Sequence, residues 1–461
     1  MTAPSCANLR SRSQRAAAGG KLLVVAAAVL VACLSPLAAL SQSLPDIPLV
    51  YDFGIGARAM GMGQAHIAVC DDVTATYYNP AALANIRRIE LSAGFSHLNA
   101  KWKTDFYGDK TTSETGSTKL SSLALAYPFP TYRGSLVFGL AYNRTKNLDS
   151  DYMRQGFNPS YLPSYWPPSD PLGIGETVAG MEKETAFERG GMSNWTVGVG
   201  TDVSAEVSVG ASASFLSGSI NREYTYEALW AHGATELYDF HYSEDDANIT
   251  GWTASLGTAA RIGNAARVGF VVNFPQYLTL DGSQYTEDYD PVADVIYTDE
   301  TQFEDEITLP LSFAAGVSGA PVAGLILAAD AKYTDWKQID YFGAIRIDNE
   351  YAYRATTSVR LGAEFSIPST PLRLRAGYFT DPIAFRFIQD YSAPGTVFEA
   401  KIDEDGRFFT FGAGLLVEDA FTVDAAWVHG GYERSVPRSS GVDYSEERTS
   451  DRIFVTTSFH F

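Results

Sequence analysis

The sequence predicts an all-β protein, built as a 14-stranded antiparallel transmembrane β-barrel. Three observations lead to this fold class: an N-terminal export signal, fourteen later segments in which apolar and polar residues alternate, and connections that are alternately short and long. The composition agrees, because 13% of the 461 residues are aromatic, only 19% are charged and 40 are glycine. Such a chain favours strands and tight turns over disorder or a helical bundle.

Residues 1–41 have the pattern of an export signal. Four basic residues, the last of them Lys21, precede an apolar run at 22–40, and no acidic residue occurs in this stretch. The mature chain would then start at Gln42. A membrane anchor helix and a lipoprotein processing site at Cys33 are the alternatives. An exported protein with no further long apolar run can enter a membrane only as a closed barrel.

The remaining chain alternates with period two, as strands do when one face meets hydrocarbon. The fourteen predicted strands lie near 89–99, 119–128, 134–144, 193–203, 205–218, 250–263, 265–279, 307–319, 322–334, 354–367, 370–379, 407–418, 420–430 and 451–461.

The connections between these segments alternate in length. Short ones include 129–133, Asn264, 320–321 and 368–369. We expect loops at 100–118, 145–192, 219–249, 280–306, 335–353, 380–406 and 431–450. Barrels of the outer membrane have this asymmetry, and an aromatic residue such as Phe461 on the last strand is typical of them. A soluble β-sandwich is the alternative.

Residues 44–88 do not alternate, and they indicate a compact plug rich in turns and small residues. Gly61 and Gly63 suit tight bends and close backbone contact. Asn79 and Pro80 have the pattern of an N-cap and first residue of a short helix.

Three stretches resemble the FadL/TodX family of outer-membrane transport proteins. They are Gly-Ala-Arg-Ala-Met-Gly-Met-Gly-Gln-Ala at 56–65 with Tyr-Asn-Pro-Ala at 78–81, Leu-Pro-Leu-Ser-Phe at 309–313 with Tyr-Thr-Asp-Trp at 333–336, and Leu-Arg-Ala-Gly-Tyr at 374–378 with Asp-Pro-Ile at 381–383. The resemblance implies an N-terminal hatch at 42–88 that plugs the lumen of a barrel at 89–461. It also implies that the hatch is gated around Asn79, Pro80, Ala81, Gly61 and Gly63.

The family moves hydrophobic molecules across the outer membrane, so the resemblance implies passive uptake of long-chain fatty acids or aromatic hydrocarbons. The expected partners are the hydrophobic ligand, the outer-membrane lipid with its lipopolysaccharide, and the outer-membrane assembly machinery. We expect a monomer without a cofactor. A barrel of the same fold that works as a secretion shuttle or surface scaffold is the alternative function.

Two sets of side chains are candidates for ligand contact. Aromatic and apolar residues of the 145–192 loop could capture the ligand, or could simply cover the loop: Phe157, Tyr161, Leu162, Tyr165 and Trp166. In the lumen, Arg360, Arg373 and Arg375 could hold a carboxylate head group, or could pair with the inward acids Glu364, Asp330 and Asp424.

Other classes of function are disfavoured. A formal charge of −20 argues against nucleic acid. The six histidines show no metal-ligand spacing and no nucleophile motif accompanies them, so we expect neither a metal site nor an enzyme. The acidity is concentrated in 219–249 and 280–306, which together hold 17 acidic residues and one basic residue. We expect these loops to form an acidic outer shell.

Overall fold

A computed structural model describes residues 54–161, 178–232, 235–263, 266–291, 294–342, 353–384, 387–390, 396–399, 401–418, 420–436 and 444–461. The predicted export signal at 1–41 lies outside these ranges. In the part of the chain that is described, helix is confined to short elements, none of which is long and apolar enough to cross a membrane. The rest is mostly strand, which confirms the all-β prediction.

The helical elements are α1 (Ala57–Gly61), α2 (Ala75–Tyr78) and 3₁₀ helices at Pro80–Asn85 and Trp336–Gln338. The strands are β1 (Glu90–Phe106), β2 (Asp109–Phe129), β3 (Leu136–Asn147), β4 (Ser150–Tyr161), β5 (Val178–Asp202), β6 (Val207–His232), β7 (Thr235–Ile262), β8 (Ala266–Asn273), β9 (Gln276–Asp290), β10 (Val295–Leu309), β11 (Ser312–Val322), β12 (Leu325–Asp335), β13 (Asp340–Phe342), β14 (Ala355–Ser366), β15 (Leu372–Asp381), β16 (Phe387–Asp390), β17 (Thr396–Glu399), β18 (Lys401–Val417), β19 (Phe421–Val436) and β20 (Tyr444–His460).

These strands close into a barrel of 14 antiparallel strands. The first strand pairs with both β2 and the last strand, β20, in a register that sets Glu90 opposite His460. Around the wall the order is β1, β2, β3, β5, β6, β7, β8, β11, β12, β14, β15, β18, β19 and β20. Each of the fourteen predicted segments falls on one of these barrel strands, so the strand count and the closed topology are confirmed.

Two of the barrel strands continue past an interruption at proline. Between β8 and β9 lies Pro275, and between β10 and β11 lies Pro310. Proline has no amide hydrogen to donate to a ladder, so the strand is broken there and resumes on the other side. Beyond the break β9 keeps β7 as its neighbour, and it pairs with β10 as a long hairpin.

The long connections differ from the loops that the sequence predicted. Most of 100–118, 219–249 and 280–306 extends the barrel strands as hairpins, and β1 turns into β2 through Tyr107 and Gly108 alone. The loop prediction was wrong there for a physical reason: away from the apolar band, both faces of a strand carry polar residues, so alternation disappears while the ladder continues. Short connections lie at 323–324 and 367–371, at the end of the barrel opposite these hairpins. The second includes the predicted 368–369, whereas the first lies just beyond the predicted 320–321, which is still strand, and Asn264 lies outside the described residues.

Side chains alternate between an apolar outer surface and a varied lumen. Phe215 points outward and is 54% exposed, whereas its neighbour Leu216 points inward and is fully buried. Aromatic pairs on neighbouring strands lie on the outer surface, including Trp252 with Tyr277. An exposed apolar band of this kind is what a transmembrane barrel presents to lipid.

Candidate functional site

The N-terminal segment, residues 54–86, packs inside the barrel, and its backbone is hydrogen bonded to side chains of the wall. The amide of Ala57 donates to Thr456 Oγ1 on β20 at 3.0 Å. The amide of Gly63 donates to Thr410 Oγ1 on β18 at 3.0 Å. On β12, Asp330 Oδ2 accepts from the amides of both His66 and Ile67, at 2.7 and 2.9 Å. These anchors lie on well-separated strands, so the segment is held from several sides of the wall.

A belt of glycines on the inner wall lets this segment lie directly against the strands. A Cβ added at any of them would fall within 3.1 Å of an atom of the segment. The closest approaches put such a Cβ 2.1 Å from Asn79 Oδ1 at Gly257 and 2.2 Å from the amide nitrogen of Gly63 at Gly377. The glycine belt comprises Gly139, Gly198, Gly200, Gly210, Gly257, Gly269, Gly316, Gly362, Gly377 and Gly412.

Gly61 and Gly63 make the close backbone contacts that the sequence predicted. A Cβ on Gly61 would lie 3.1 Å from Gly412 Cα on β18. Gly63 has a φ of 61°, and a Cβ there would lie 2.6 Å from the carbonyl oxygen of Leu361. Both the left-handed backbone and the lack of space therefore require glycine at position 63.

Asn79 caps the 3₁₀ helix that Pro80 opens, which confirms the predicted cap. Its Oδ1 accepts from the amide of Ala81 at 3.1 Å, and the side chain is buried. The Nδ2 group donates to the carbonyl oxygens of Ile67 and Thr258, both at 3.1 Å. One side chain thus joins the helix, an earlier turn of the segment and strand β7.

A buried charge cluster joins the start of the segment to the opposite wall. Arg58 Nε and Nη2 donate to the two carboxylate oxygens of Glu364, at 3.0 and 3.2 Å. Arg375 Nε donates to Glu364 at 2.7 Å, and its Nη1 donates to Asp424 at 2.6 Å. Burial alone would lower the pKa of Arg58, but Asp71, Glu364 and Asp72 outweigh it and hold the Arg58 pKa above its ordinary value.

The three lumen arginines differ in burial and in their partners. Arg375 is buried, and two carboxylates engage its guanidinium. Arg360 and Arg373 are half-buried, and Arg360 stands opposite Asp330 in the ladder between β12 and β14. The sequence analysis did not single out Arg58 as a site residue. A lone basic residue in a stretch of Gly, Ala and Met could have indicated a buried ion pair, because a buried guanidinium requires a carboxylate.

A cluster of buried apolar side chains lies inside the barrel on the hairpin side of the N-terminal segment. Its core lies on consecutive neighbours in the wall, with Met192 on β5, Leu216 on β6, Ile249 on β7, Leu278 on β9 and Ile307 on β10. We call the whole set the apolar lumen cluster: Leu148, Met192, Leu216, Ile249, Leu278, Ile307, Leu309, Ile339, Tyr353, Ile383 and Ala384. Water-filled barrels have a polar lumen, so this lining favours an apolar occupant.

The wall beside this cluster contains a break in its hydrogen-bond ladder. β2 and β3 pair only as far as Ser122 opposite Asn143, although both strands continue. Beyond that point the contact is made by side chains, such as Asn147 Nδ2 to Ser117 Oγ at 3.0 Å. The cluster member Leu148 comes directly after Asn147. The break therefore adjoins the apolar lumen cluster.

The predicted capture residues are only partly described. Phe157 lies on β4, not in a loop, and is 51% exposed. Tyr161 ends the same strand. Leu162, Tyr165 and Trp166 lie outside the described residues.

Comparisons with known proteins identify the fold. No protein-family model and no curated protein matches the sequence. The crystal structure of a Pseudomonas aeruginosa FadL homologue superposes with a TM-score of 0.62 at 15% identity, covering 89% of this chain and all of that one. The P. putida toluene transporter TodX gives 0.60 at 16% identity, covering 88% and 99% of the two chains. The CymD monoaromatic hydrocarbon channel superposes with a TM-score of 0.55 at 16% identity, and the match covers 88% of this chain and 98% of that one.

The chain therefore has the architecture of a plugged 14-stranded barrel. More specifically, it has the fold of the FadL and TodX channels, as the three sequence stretches predicted. At this level of identity the likeness establishes the fold, and function has to be argued from the lumen.

Proposed function

We propose that the protein is an outer-membrane channel for passive uptake of hydrophobic small molecules, in the class of long-chain fatty acids and aromatic hydrocarbons. The apolar lumen cluster is the observation that carries this proposal, because an interior built from Leu216, Ile249 and Leu278 suits an apolar guest and not a hydrated one. The printed names of the structural neighbours, a toluene transporter and a monoaromatic hydrocarbon channel, support the same class.

In this proposal the chain divides into an export signal at 1–41, a hatch at 42–88 and a barrel at 89–461. The hatch would block the lumen and open around Gly61, Gly63 and the Asn79-Pro80-Ala81 turn. Arg375 would act within the hatch anchor, since its guanidinium already binds Glu364 and Asp424. Arg360 and Arg373 would be the candidates for a carboxylate head group, and Phe157 for first contact with the ligand.

The ligand would leave sideways, through the break between β2 and β3. The hatch occupies the lumen on the side of the short turns, whereas the ladder break lies beside Leu148 of the apolar lumen cluster. A lateral exit would deliver an apolar molecule to lipid without passage through water. Cysteines placed at Ser117 and Asn147 and joined by a short bifunctional thiol reagent should reduce uptake, and cleavage of the linker should restore it.

An uptake assay tests the proposal as a whole. Proteoliposomes holding the folded barrel should take up labelled oleate or toluene faster than empty liposomes. Leu216→Asn should lower that rate by about tenfold or more, because a guest would then contact an unpaired amide. Ser219→Asn, an exposed position on the same strand, is the matched control and should not change the rate.

If a correctly folded barrel took up none of the apolar probes, the proposal of a channel would be contradicted. Co-purification of an exported protein with such an inactive barrel would instead support the secretion or scaffold role.

A further inference from the structure

Three side chains of types that bind metals lie together in the N-terminal segment, although the spacing of the histidines predicted no metal site. They are His66, Cys70 and Asp72, and their candidate ligand atoms all lie within 4.8 Å of one another. A backbone hydrogen bond from the Cys70 amide to the His66 carbonyl, at 3.1 Å, folds this turn so that the imidazole and the thiol approach each other. The sequence signal was therefore a mixed His, Cys and Asp set within seven residues, and no pair of histidines was needed.

The imidazole of His66 is the second observation that indicates a bound cation. The residue is fully buried, and neither ring nitrogen has a hydrogen-bond partner within the described part of the chain. A neutral imidazole has one nitrogen that donates and one that accepts, and a protonated imidazole donates from both, so leaving both nitrogens without a partner inside a protein is costly in either state. Its Nε2 lies 3.6 Å from Asp72 Oδ2, just beyond hydrogen-bond distance. A bound cation between these groups would satisfy the ring nitrogen.

The spacings are somewhat wider than those of a tetrahedral ion. Bond lengths of Zn²⁺ to sulfur, nitrogen and oxygen place neighbouring tetrahedral ligands about 3.3–3.6 Å apart. Here Cys70 Sγ lies 3.8 Å from Asp72 Oδ1, and His66 Nε2 lies 3.6 Å from Asp72 Oδ2. These two contacts involve different oxygens of Asp72, and the three ligand atoms taken one per residue lie within 4.8 Å of one another, so the turn would contract by about 1 Å at its widest pair to reach bonding geometry. We propose that His66, Cys70 and Asp72 bind a borderline divalent transition-metal ion, of which Zn²⁺ fits best.

The chemistry of the donor set selects this class of ion. Ca²⁺ and Mg²⁺ require oxygen ligands, whereas a thiolate with an imidazole and one carboxylate suits Zn²⁺. A thiolate, a carboxylate and a neutral imidazole also balance two positive charges, so the loaded site would be neutral. The nearby Arg58 is matched by Glu364 and Asp71, and its Nη1 also lies 3.5 Å from Oδ2 of the ligand Asp72.

A nucleophilic role for Cys70 is a poorer reading of the same three residues. Burial raises the pKa of the Cys70 thiol well above its ordinary value, and Asp72 raises it further. Reactive cysteines have the opposite environment, accessible and with a lowered pKa. The metal site stands independently of the transport proposal, because it rests only on groups within the N-terminal segment.

Metal binding can be measured on the full chain, folded in detergent without a polyhistidine tag. Cys6→Ser and Cys33→Ser would leave Cys70 as the only thiol, since the sequence has 3 cysteines. Excess Mg²⁺ in the buffer would occupy the exposed carboxylates, so that they do not contribute to the measured Zn²⁺ binding. We expect one tightly held Zn²⁺ per chain, and affinity at least ~100-fold weaker in Cys70→Ser and in His66→Gln, because outer-shell changes alone cost ~10–100-fold. His97→Gln, an exposed histidine, is the matched control and should bind normally.

Cobalt provides a readout that needs no ligand variant. Co²⁺ bound at this site should show the near-ultraviolet charge-transfer absorption of a cobalt–thiolate bond, and Zn²⁺ should abolish it. Failure to retain Zn²⁺, equal retention in Cys70→Ser, or a cobalt spectrum without the thiolate band would each overturn the proposal. If Cys70→Ser does not fold, as judged by heat-modifiable migration, the cobalt spectrum decides alone.

Discussion

Two parts of the N-terminal segment are held against the barrel in different ways. The first part, residues 57–63, is attached by Arg58 to Glu364 and by hydroxyl contacts to Thr410 and Thr456. The second part, residues 75–84, is packed by apolar atoms: Ala82 and Leu83 lie in a buried cluster with residues of β2 and β3, and Asn79 adds the amide contacts. The first part also packs by apolar contact, because Ala57 and Met60 lie in a buried cluster with Phe379 and other wall residues. The difference is that buried charges contribute to the first attachment and not to the second.

This difference predicts which part of the N-terminal segment separates from the wall more easily. Packed apolar surfaces lose dispersion and burial energy throughout the contact when they separate. Buried ionic contacts are different, because water that enters the lumen can solvate the separated charges and replace their hydrogen bonds. We therefore expect the first part to leave the wall while the second stays in place. Hydrogen exchange resolved along the segment reports the two parts separately.

The largest effect is expected from Glu364→Gln. This change leaves the buried Arg58 and Arg375 without the carboxylate that both share. Breaking a buried ionic contact costs about 3–5 kcal/mol, so the opening free energy of residues 57–63 should fall by that amount. Native-state hydrogen exchange measured by mass spectrometry gives this free energy.

The matched control for that change is Glu447→Gln, which removes an exposed carboxylate paired with Lys103 at 2.9 Å. Exposed pairs contribute about 0–1 kcal/mol, so exchange should hardly change. Equal loss of protection in residues 57–63 and 75–84 of Glu364→Gln would show that the segment opens as one unit. That result would contradict the expectation that the two parts separate from the wall independently.

Asn79→Ala should have the next largest effect, confined to residues 75–84. It removes the helix cap and leaves the carbonyl oxygens of Ile67 and Thr258 without their amide donor. Loss of the cap and burial of unsatisfied carbonyls together cost about 2–4 kcal/mol. Exchange in the 3₁₀ helix should accelerate accordingly, while exposed Asn99→Ala leaves it unchanged. Faster exchange at residues 57–63 alone would contradict the assignment.

Some of these contacts could be predicted from the sequence, and others could not. The outward position of Phe215 follows from period-two alternation, and the Asn79 cap follows from two adjacent residues, so local physics suffices for both. Leu216 was not predicted as an interior residue of the lumen, because it lies out of phase with the apolar face of β6. An apolar residue on a lumen face is itself the signal for such a lining.

Contacts between distant parts of the chain escape this reasoning. Arg58 and Glu364 are 306 residues apart, and only closure of the barrel around the N-terminal segment brings them together. The glycine belt is similar, since each glycine looks like an ordinary turn or strand residue until the strand register is known. The polar strand extensions were missed for lack of periodicity, since Thr111, Ser113 and Glu114 give no apolar face.

Gly210→Ala tests the steric side of the comparison with a smaller expected effect. The added Cβ would lie 2.3 Å from the Pro80 carbonyl carbon and 2.4 Å from the Ala81 amide nitrogen, so the 3₁₀ helix must move off β6. Overpacking of this kind costs about 1–3 kcal/mol. Exchange should accelerate at residues 75–84. Gly116→Ala is the matched control on β2, because its Cβ would meet nothing closer than 4.0 Å. Unchanged hydrogen exchange in Gly210→Ala would mean that strand β6 shifts to accommodate the added Cβ and the 3₁₀ helix stays in place.

Thr410→Val should give the smallest change, and it sharpens the comparison at a single hydroxyl. Thr410 Oγ1 accepts from the Gly63 amide and donates to the Gly61 carbonyl oxygen, both at 3.0 Å. Valine keeps the shape and removes both hydrogen bonds, so the opening free energy of residues 57–63 should fall by about 1–2 kcal/mol. Thr410→Ser keeps the hydroxyl and loses only a methyl group, so it should restore most of the protection. If serine were as damaging as valine, the methyl contact would hold Gly61 and Gly63 in place, and the first part of the hatch would be attached by packing like the second.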